Sequence, residues 1–314
     1  MFDSNDNNDE LTITDVTRPR SQHVPQKPIA APLKPAIKEL VNGLNDVTNA
    51  EYHADRKYLS SSVLKTVLES LAKYKNDYIL GLKPEHSQST QNNFDVGTLM
   101  HSMILEPHTV ETEFNYYKGM RKAGAEFDAF IANCHNPKLP CISINQRKVA
   151  QDCMEAYQRH TVAQSLISNG YAEQTICGTL HGVPIKARFD WINVEDGYIA
   201  DVKTTGYSSD LESFKSTCDS FKYPLSGALY TAMAEAHYGK PFKFYYIVLS
   251  KKEKTCDVYL TSTRTMNAGK AKVAEACAKY LRAKETNVWT DDVLSSTIST
   301  SASTNEASYI IQEV

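Results

Sequence analysis

The order in which hydrophobic periods change along this chain predicts an α/β (α+β) domain, a mixed central β-sheet flanked by helices. Three observations carry that prediction. The front half repeats its apolar residues at helical spacing. The middle switches to β-branched and aromatic runs broken by turn signals, and the last third reads helix, two strands, helix.

The segment YLSSSVLKTVLESLAKYKNDYILGL sets Leu64, Val67, Leu68, Leu71, Tyr74 and Tyr78 on one helical face. Ser60–Ser62 can cap its start, and Gly81 suits its stop. A second helix is expected over Asp95–Leu105, ended by Glu106-Pro107. A third runs from Gln146 to about Ile167, with Val149, Cys153, Tyr157, Val162 and Leu166 on one side. Strands follow in YAEQTI, TLHGVPIKARFDWINV and YIADVKTT. KYPLSGALYTAMAEAHYG returns to helix, KFYYIVLS and TCDVYLT are strands, and a helix from about Arg264 to Lys284 closes the domain.

The ends read differently. Residues 1–50 include five prolines between Thr17 and Leu40 and little periodicity, the signature of a flexible arm. Residues 293–314 contain SSTISTSASTNEAS, a Ser/Thr-rich tail expected to be disordered. Residues 51–292 remain as one domain without internal repeats.

The formal net charge is −3 over 314 residues, so binding to a polyanion would need a local basic patch rather than bulk charge. Seven cysteines show no CxxC pair, which predicts reduced thiols in a cytoplasmic protein rather than a zinc site or a disulfide framework. The opening MFDSNDNNDE lacks the basic and apolar parts of a signal peptide. No run of about 18 apolar residues suggests a membrane span.

One stretch carries candidate chemistry: ARFDWINVEDGYIADVKTT, Ala187–Thr205. Asp196-Gly197 is a two-residue type I′ turn signal. A turn there sets Ile192 opposite Asp201 and Asp190 opposite Lys203. Phe189, Trp191, Tyr198, Ala200 and Val202 then share one face, and Lys186, Arg188, Asp190, Asp201 and Lys203 share the other. Asp190 and Asp201 become diagonal neighbours able to share a divalent cation such as Mg²⁺. Lys203 could orient or deprotonate a water, or stabilise charge on a phosphate. The spacing alone equally fits a solvated hairpin face, where an Asp–Lys cross-strand pair contributes about 0.2–1 kcal/mol.

GTLMHSMILEP at Gly97–Pro107, ARFDW at Ala187–Trp191, ADVKTT at Ala200–Thr205 and YPLSGALY at Tyr223–Tyr230 occur in an order that resembles the RecE (exodeoxyribonuclease VIII) type of nuclease. That type belongs to the PD-(D/E)xK superfamily, with the lambda-type alkaline exonucleases. The resemblance covers roughly Tyr58–Trp289 and implies a restriction-endonuclease-like core. It implies that Asp190, Asp201, the Val202 backbone carbonyl and His101 hold the metal, Mg²⁺ with Mn²⁺ as a substitute. It further implies that Lys203 is the active-site lysine and that Glu173 lies near the metal or the attacking water. Ser61, Ser62 and Lys65 match a segment beside the DNA path, with Tyr223, Ser226 and Tyr230 on a further helix. Lys118, Arg121 and Lys122 are candidates for the 5′-phosphate end. Ser226 departs from the family pattern, which has glutamine there and so a longer reach.

The implied activity is 5′-to-3′ exonuclease action on duplex DNA ends, releasing 5′-mononucleotides and leaving 3′ overhangs for recombination by strand annealing. The implied partners are duplex DNA ends, a single-strand annealing protein of the RecT or Beta type, and further copies of this chain in a ring, a trimer ahead of a tetramer. Two other readings stay open: a structure-specific or restriction-like endonuclease on the same fold, and a catalytically inactive DNA-binding module. Without the resemblance, His101 reads as a core histidine, Glu173 as a strand-end residue and Tyr223 and Tyr230 as core. Lys118, Arg121 and Lys122 then read as an exposed loop, and Lys270, Lys272, Lys279, Arg282 and Lys284 as a solvated helix face.

Overall fold

Strand-forming segments rich in Ile, Val, Tyr and Phe collect at the centre of the computed structural model, which describes residues 38–291 and 311–313. Residues 1–37, most of the expected arm, and 292–310 and 314, most of the expected tail, lie outside the described residues. The strands are β1 (Gly43–Asn45), β2 (Asn115–Tyr117), β3 (Cys141–Ser143), β4 (Tyr171–Leu180), β5 (Val183–Asn193), β6 (Tyr198–Thr205), β7 (Lys243–Ser250), β8 (Thr255–Thr261) and β9 (Ile311–Glu313). Among the described residues seven of them form one mixed sheet in the order β1-β4-β5-β6-β7-β8-β9. Only β6 and β7 pair in parallel within it; β2 and β3 form a separate parallel pair.

The helices are α1 (Asn49–Ala54), α2 (Ser61–Glu69), α3 (Leu71–Tyr74, continued by a π-turn at Lys75–Ile79), α4 (Gln88–Leu105), α5 (Ala125–Ala132), α6 (Ile144–Arg159), α7 (Thr161–Leu166), α8 (Leu211–Ser220), α9 (Tyr223–Tyr238) and α10 (Thr263–Thr286). On one face of the sheet, Leu64 of α2, Leu225 and Leu229 of α9 and Val273 of α10 pack on Ile185, Phe189, Ile199 and Val248. On the other, Leu99 and Met100 of α4 and Cys153 and Met154 of α6 pack on Ala200, Val202, Ile247 and Leu249. Because helices cover both faces, β7 is a nearly unbroken apolar run, as a strand buried on both sides must be. The crossover from β6 through α8 and α9 to parallel β7 completes the three-layer arrangement.

The expected α/β architecture holds, with local differences that have physical causes. The first predicted helix breaks at Ser70, whose backbone is extended and whose hydroxyl accepts from Lys73 N–H and donates to Asp291 at 2.6 Å. Ser60 precedes α2 without a side-chain cap. The third predicted helix breaks at His160, whose ring accepts from Ala163 N–H. β1 lies inside the predicted arm and β9 inside the predicted tail; each adds a short strand to one edge of the sheet.

The turns also exchange roles. The two-residue turn with both φ positive is His181–Gly182, at 49° and 77°, joining Leu180 to Val183. Asp196-Gly197 instead ends a four-residue loop. The Asn193 carbonyl accepts from Gly197 N–H at 3.1 Å, and its side-chain oxygen accepts from Asp196 N–H at 2.8 Å. The register is therefore Trp191↔Ala200, Ile192↔Ile199 and Asn193↔Tyr198. Continued one step, it sets Asp190 opposite Asp201 rather than opposite Lys203.

The predicted division of faces is corrected as well. Glu173 on β4 has φ 53°, a left-handed conformation rare outside glycine. No Glu173–Asp190 pair is formed between the flanking pairs Ala172↔Trp191 and Gln174↔Phe189. The alternation of β5 changes phase there: Phe189 packs on the α9 side while Trp191 packs on the α4 side, with Ala200 and Val202. Lys186 does not share the acids' surroundings. It is buried and donates to the carbonyls of Tyr52 and Asp55.

Candidate metal centre and active site

The site begins where the sheet divides. β5 and β6 pair only near their shared loop; beyond Trp191 and Ala200, β5 stays with β4 and β6 with β7. In the resulting fork the Asp190 Oδ2 accepts from Val202 N–H at 2.8 Å, so a carboxylate occupies the place of a strand partner. This bond fixes the direction of Asp190.

Two further groups converge on it. α4 lies close on β6, and a Cβ at Gly97 would stand 3.2 Å from Thr204 Oγ1, so a small residue permits the approach. One turn on, His101 brings its Nδ1 to 3.6 Å from Asp190 Oδ2. From the other side Glu173 reaches in, held by an ion pair with Arg188 Nε. Arg188 is itself fixed by donation to the Val47 carbonyl at 3.1 Å and lies over the Tyr52 ring. His101, Glu173 and Asp190 each offer one ligand atom, all within 4.8 Å of one another. Two carboxylates and an imidazole form a donor set that fits a hard or borderline divalent cation.

Asp201 stands beside this cluster, buried and in an ion pair with Lys203. The Lys203 ammonium lies 5.2 Å from the centre of the Tyr223 ring, and that of Lys65 lies 5.4 Å from it. Ser61 and Tyr230 share a hydroxyl hydrogen bond at 3.3 Å.

Burial drives the electrostatics. It pushes the Glu173 carboxyl above its usual range, and the charge of Asp190 adds to the effect against Arg188. Burial raises Asp201 likewise, with Lys203 opposing and Asp190 reinforcing. Lys203 loses hydration too, yet the carboxylates of Asp201 and Asp190 outweigh that and hold its ammonium above the ordinary lysine value. Burial lowers His101, and Lys203 adds to this against Asp190 and the Val202 backbone; a neutral imidazole is the form that binds a metal. Lys65 falls to about 7 through burial and the neighbouring Lys203.

The predicted residues thus divide. Asp190, Asp201, Val202, Lys203, His101 and Glu173 come together, with Lys65, Tyr223, Ser61 and Tyr230 along one side. Ser62 is exposed, and Ser226 is buried within α9. Lys118 and Arg121 are exposed in a loop. Lys122 differs from them: it is buried against Asp95 at 2.6 Å and donates to the Cys141 carbonyl at 2.8 Å, which leaves it little to offer a phosphate. Arg188, read from the sequence as one more charge on the hairpin, is the residue that orients Glu173. Its only sequence signal was alternation with Asp190.

The fold has a solved counterpart. A crystal structure described as a putative exonuclease from Eubacterium rectale superposes with a TM-score of 0.58 at 17% identity, covering 78% of this chain and 88% of that one. No curated protein matches the chain in sequence. The model of the PDDEXK-like domain of unknown function (DUF3799) matches residues 60–295, which span every strand and helix of the fork. With its divided sheet and its Asp190…Asp201-Val202-Lys203 arrangement, the chain belongs to this PDDEXK-like family and so to the PD-(D/E)xK nuclease superfamily.

Proposed function

We propose that the protein is a divalent-metal-dependent exonuclease that shortens the 5′ strand of duplex DNA ends and leaves 3′ overhangs for strand annealing. The observation that carries this reading is the fork itself, where His101, Glu173 and Asp190 converge within 4.8 Å beside the Asp201–Lys203 pair. Asp190, His101, Glu173 and Asp201 are the residues that would hold the cation, Mg²⁺ or Mn²⁺, and the Val202 backbone lies against two of them. A bound divalent cation supplies Lewis-acid polarisation of a phosphoryl oxygen and lowers the pKa of water.

The remaining chemistry belongs to the chain. Lys203 keeps its proton, so it orients a water and offers positive charge to the phosphate instead of acting as a base. Tyr223 supports that ammonium and sets the spacing between Lys203 and Lys65. Arg188 holds Glu173 in place, and Val202 N–H holds Asp190. The order of the motifs and the resemblance to RecE-type enzymes support the 5′-to-3′ polarity, the ring-shaped homo-oligomer and the annealing partner.

The test is digestion of linear duplex DNA with 5′-phosphates beside a closed circular duplex, with Mg²⁺ or with EDTA, using the wild type and Asp201→Ala. Mononucleotide release from linear DNA alone, lost in EDTA and in the variant, is the expected result. Cutting of the circle would replace the exonuclease with an endonuclease. DNA binding without any cleavage would leave a binding module.

A further inference from the structure

A second feature lies at the other end of α4 from His101. A cleft of about 670 Å³ opens between the first half of α4, the loop before α5, the start of α6 and the β7–β8 turn. Its walls are tied together. Lys251 donates to Asn93 at 3.3 Å, Gln146 donates to the Asn92 carbonyl at 3.0 Å, and the buried Lys122–Asp95 pair anchors the loop to α4.

The lining is chemically one-sided. Arg121, Lys251 and Lys252 bring positive charge, and among the described residues no carboxylate lines the cleft. Val149 and Met120, the latter 65% exposed, give it an apolar part above the buried Val96, and Asn145 stands exposed on its wall. Cations for a phosphate, an apolar surface for a base face and an amide for a base or sugar edge are together what one nucleotide requires. Gly206 connects the cleft to the reacting strand, since it follows Asp201 and Lys203 directly after β6. Asn93 and His101 are eight residues apart on α4, or about 12 Å along a helix, the rise of roughly three to four stacked nucleotides.

We propose that this cleft binds one nucleotide of a single DNA strand a few positions from the fork. Arg121, Lys251 and Lys252 take its phosphate, and the apolar surface and Asn145 take its base. The inference rests on the nuclease reading and extends it to a defined strand contact remote from the metal cluster.

The experiment is fluorescence anisotropy of a short labelled oligodeoxythymidine with the full chain in EDTA, across a salt series. Arg121→Ala/Lys252→Ala should weaken binding about tenfold. It should also make the salt dependence shallower by about 0.7 in log–log slope, as loss of one single-strand phosphate contact requires. The control Lys240→Ala/Lys243→Ala removes the same charge at the opposite end of β7 and should leave affinity within about twofold. Asn145→Ala tests base contact without a change of charge and should weaken binding at unchanged salt slope. Equal losses in the cleft and control variants would overturn the proposal, as would no loss in either. Displacement of the oligonucleotide by inorganic phosphate as effectively as by thymidine 5′-monophosphate would reduce the cleft to an anion pocket and overturn the nucleotide assignment. Binding is read without a metal, so a protein that fails to cut leaves this test standing, and a cleft that fails to bind leaves the cleavage test standing.

Discussion

Two lysine–aspartate pairs, Lys203–Asp201 and Lys122–Asp95, are similar in composition and opposite in consequence. The side chains of Lys122 and Asp95 are each 5% exposed, and both have further partners: Lys122 also donates to the Cys141 carbonyl, and Asp95 accepts from Gln91. Lys203 and Asp201 sit in the divided sheet with Asp190, Glu173 and His101 around them, three carboxylates that Lys203 and Arg188 together do not neutralise. A closed pair fastens a loop. An open one leaves charge for a cation and a phosphate, so the surroundings, rather than the pair, mark the reactive group.

The sharpest way to break this comparison is Asp190→Asn. If the fork is the reaction centre, cleavage should drop by about 10³-fold or more, the several kcal/mol that a metal contributes, while the folded state persists. A variant that is still active would move the chemistry elsewhere. The next test sets the two lysines against each other. Lys122→Met should cost about 3 kcal/mol or more of stability in denaturant melts, because it leaves Asp95 buried and unpaired. Lys203→Met should cost nearly all activity, and its stability loss, caused by the charge left on buried Asp201, should be offset by a bound divalent cation. A stability loss that metal does not offset would erase the distinction between closed and open pairs.

Arg188→Ala probes support rather than ligation. It should weaken Mn²⁺ affinity by about 10–100-fold, as loss of an orienting partner does, and leave a site that excess metal restores. No rescue would make Arg188 a part of the fold alone. The smallest effect concerns pH. Glu173 has its folded value raised above the ordinary 4.5, so the native state holds the proton more tightly than the unfolded chain. The metal-free protein should therefore lose stability as pH climbs above 4.5, and a bound divalent cation should flatten that decline. A metal-free melting temperature that climbs with pH over this range would count against the excess of carboxylate.

Much of this was legible in the sequence, for reasons that differ by residue. The switch from helical to strand periodicity located the sheet because burial on both faces demands apolar runs, as in KFYYIVLS. Asp190, Asp201 and Lys203 stood out because charged groups interrupt strands that are otherwise apolar. The pairing between them was not legible, because Asp196-Gly197 signals a two-residue turn while hydrogen bonds to the Asn193 side chain and carbonyl close a four-residue loop. Nor was the phase change at Glu173, since a positive φ in a non-glycine residue leaves no compositional trace. Lys122 and Arg121 looked equivalent, and only Asp95, distant in sequence, separates them.

The short strands at the two margins of the sheet bear on how this protein can be handled. β1 and β9 come from near opposite ends of the chain, and each occupies backbone groups that would otherwise face water as an open ladder. A version trimmed to residues 51–292 keeps every side chain of the fork, though not the Val47 carbonyl that Arg188 meets, and uncovers both ladders at once. Such a trimmed protein would invite strand-to-strand stacking between molecules, so segments with no part in the chemistry would govern whether it stays in solution.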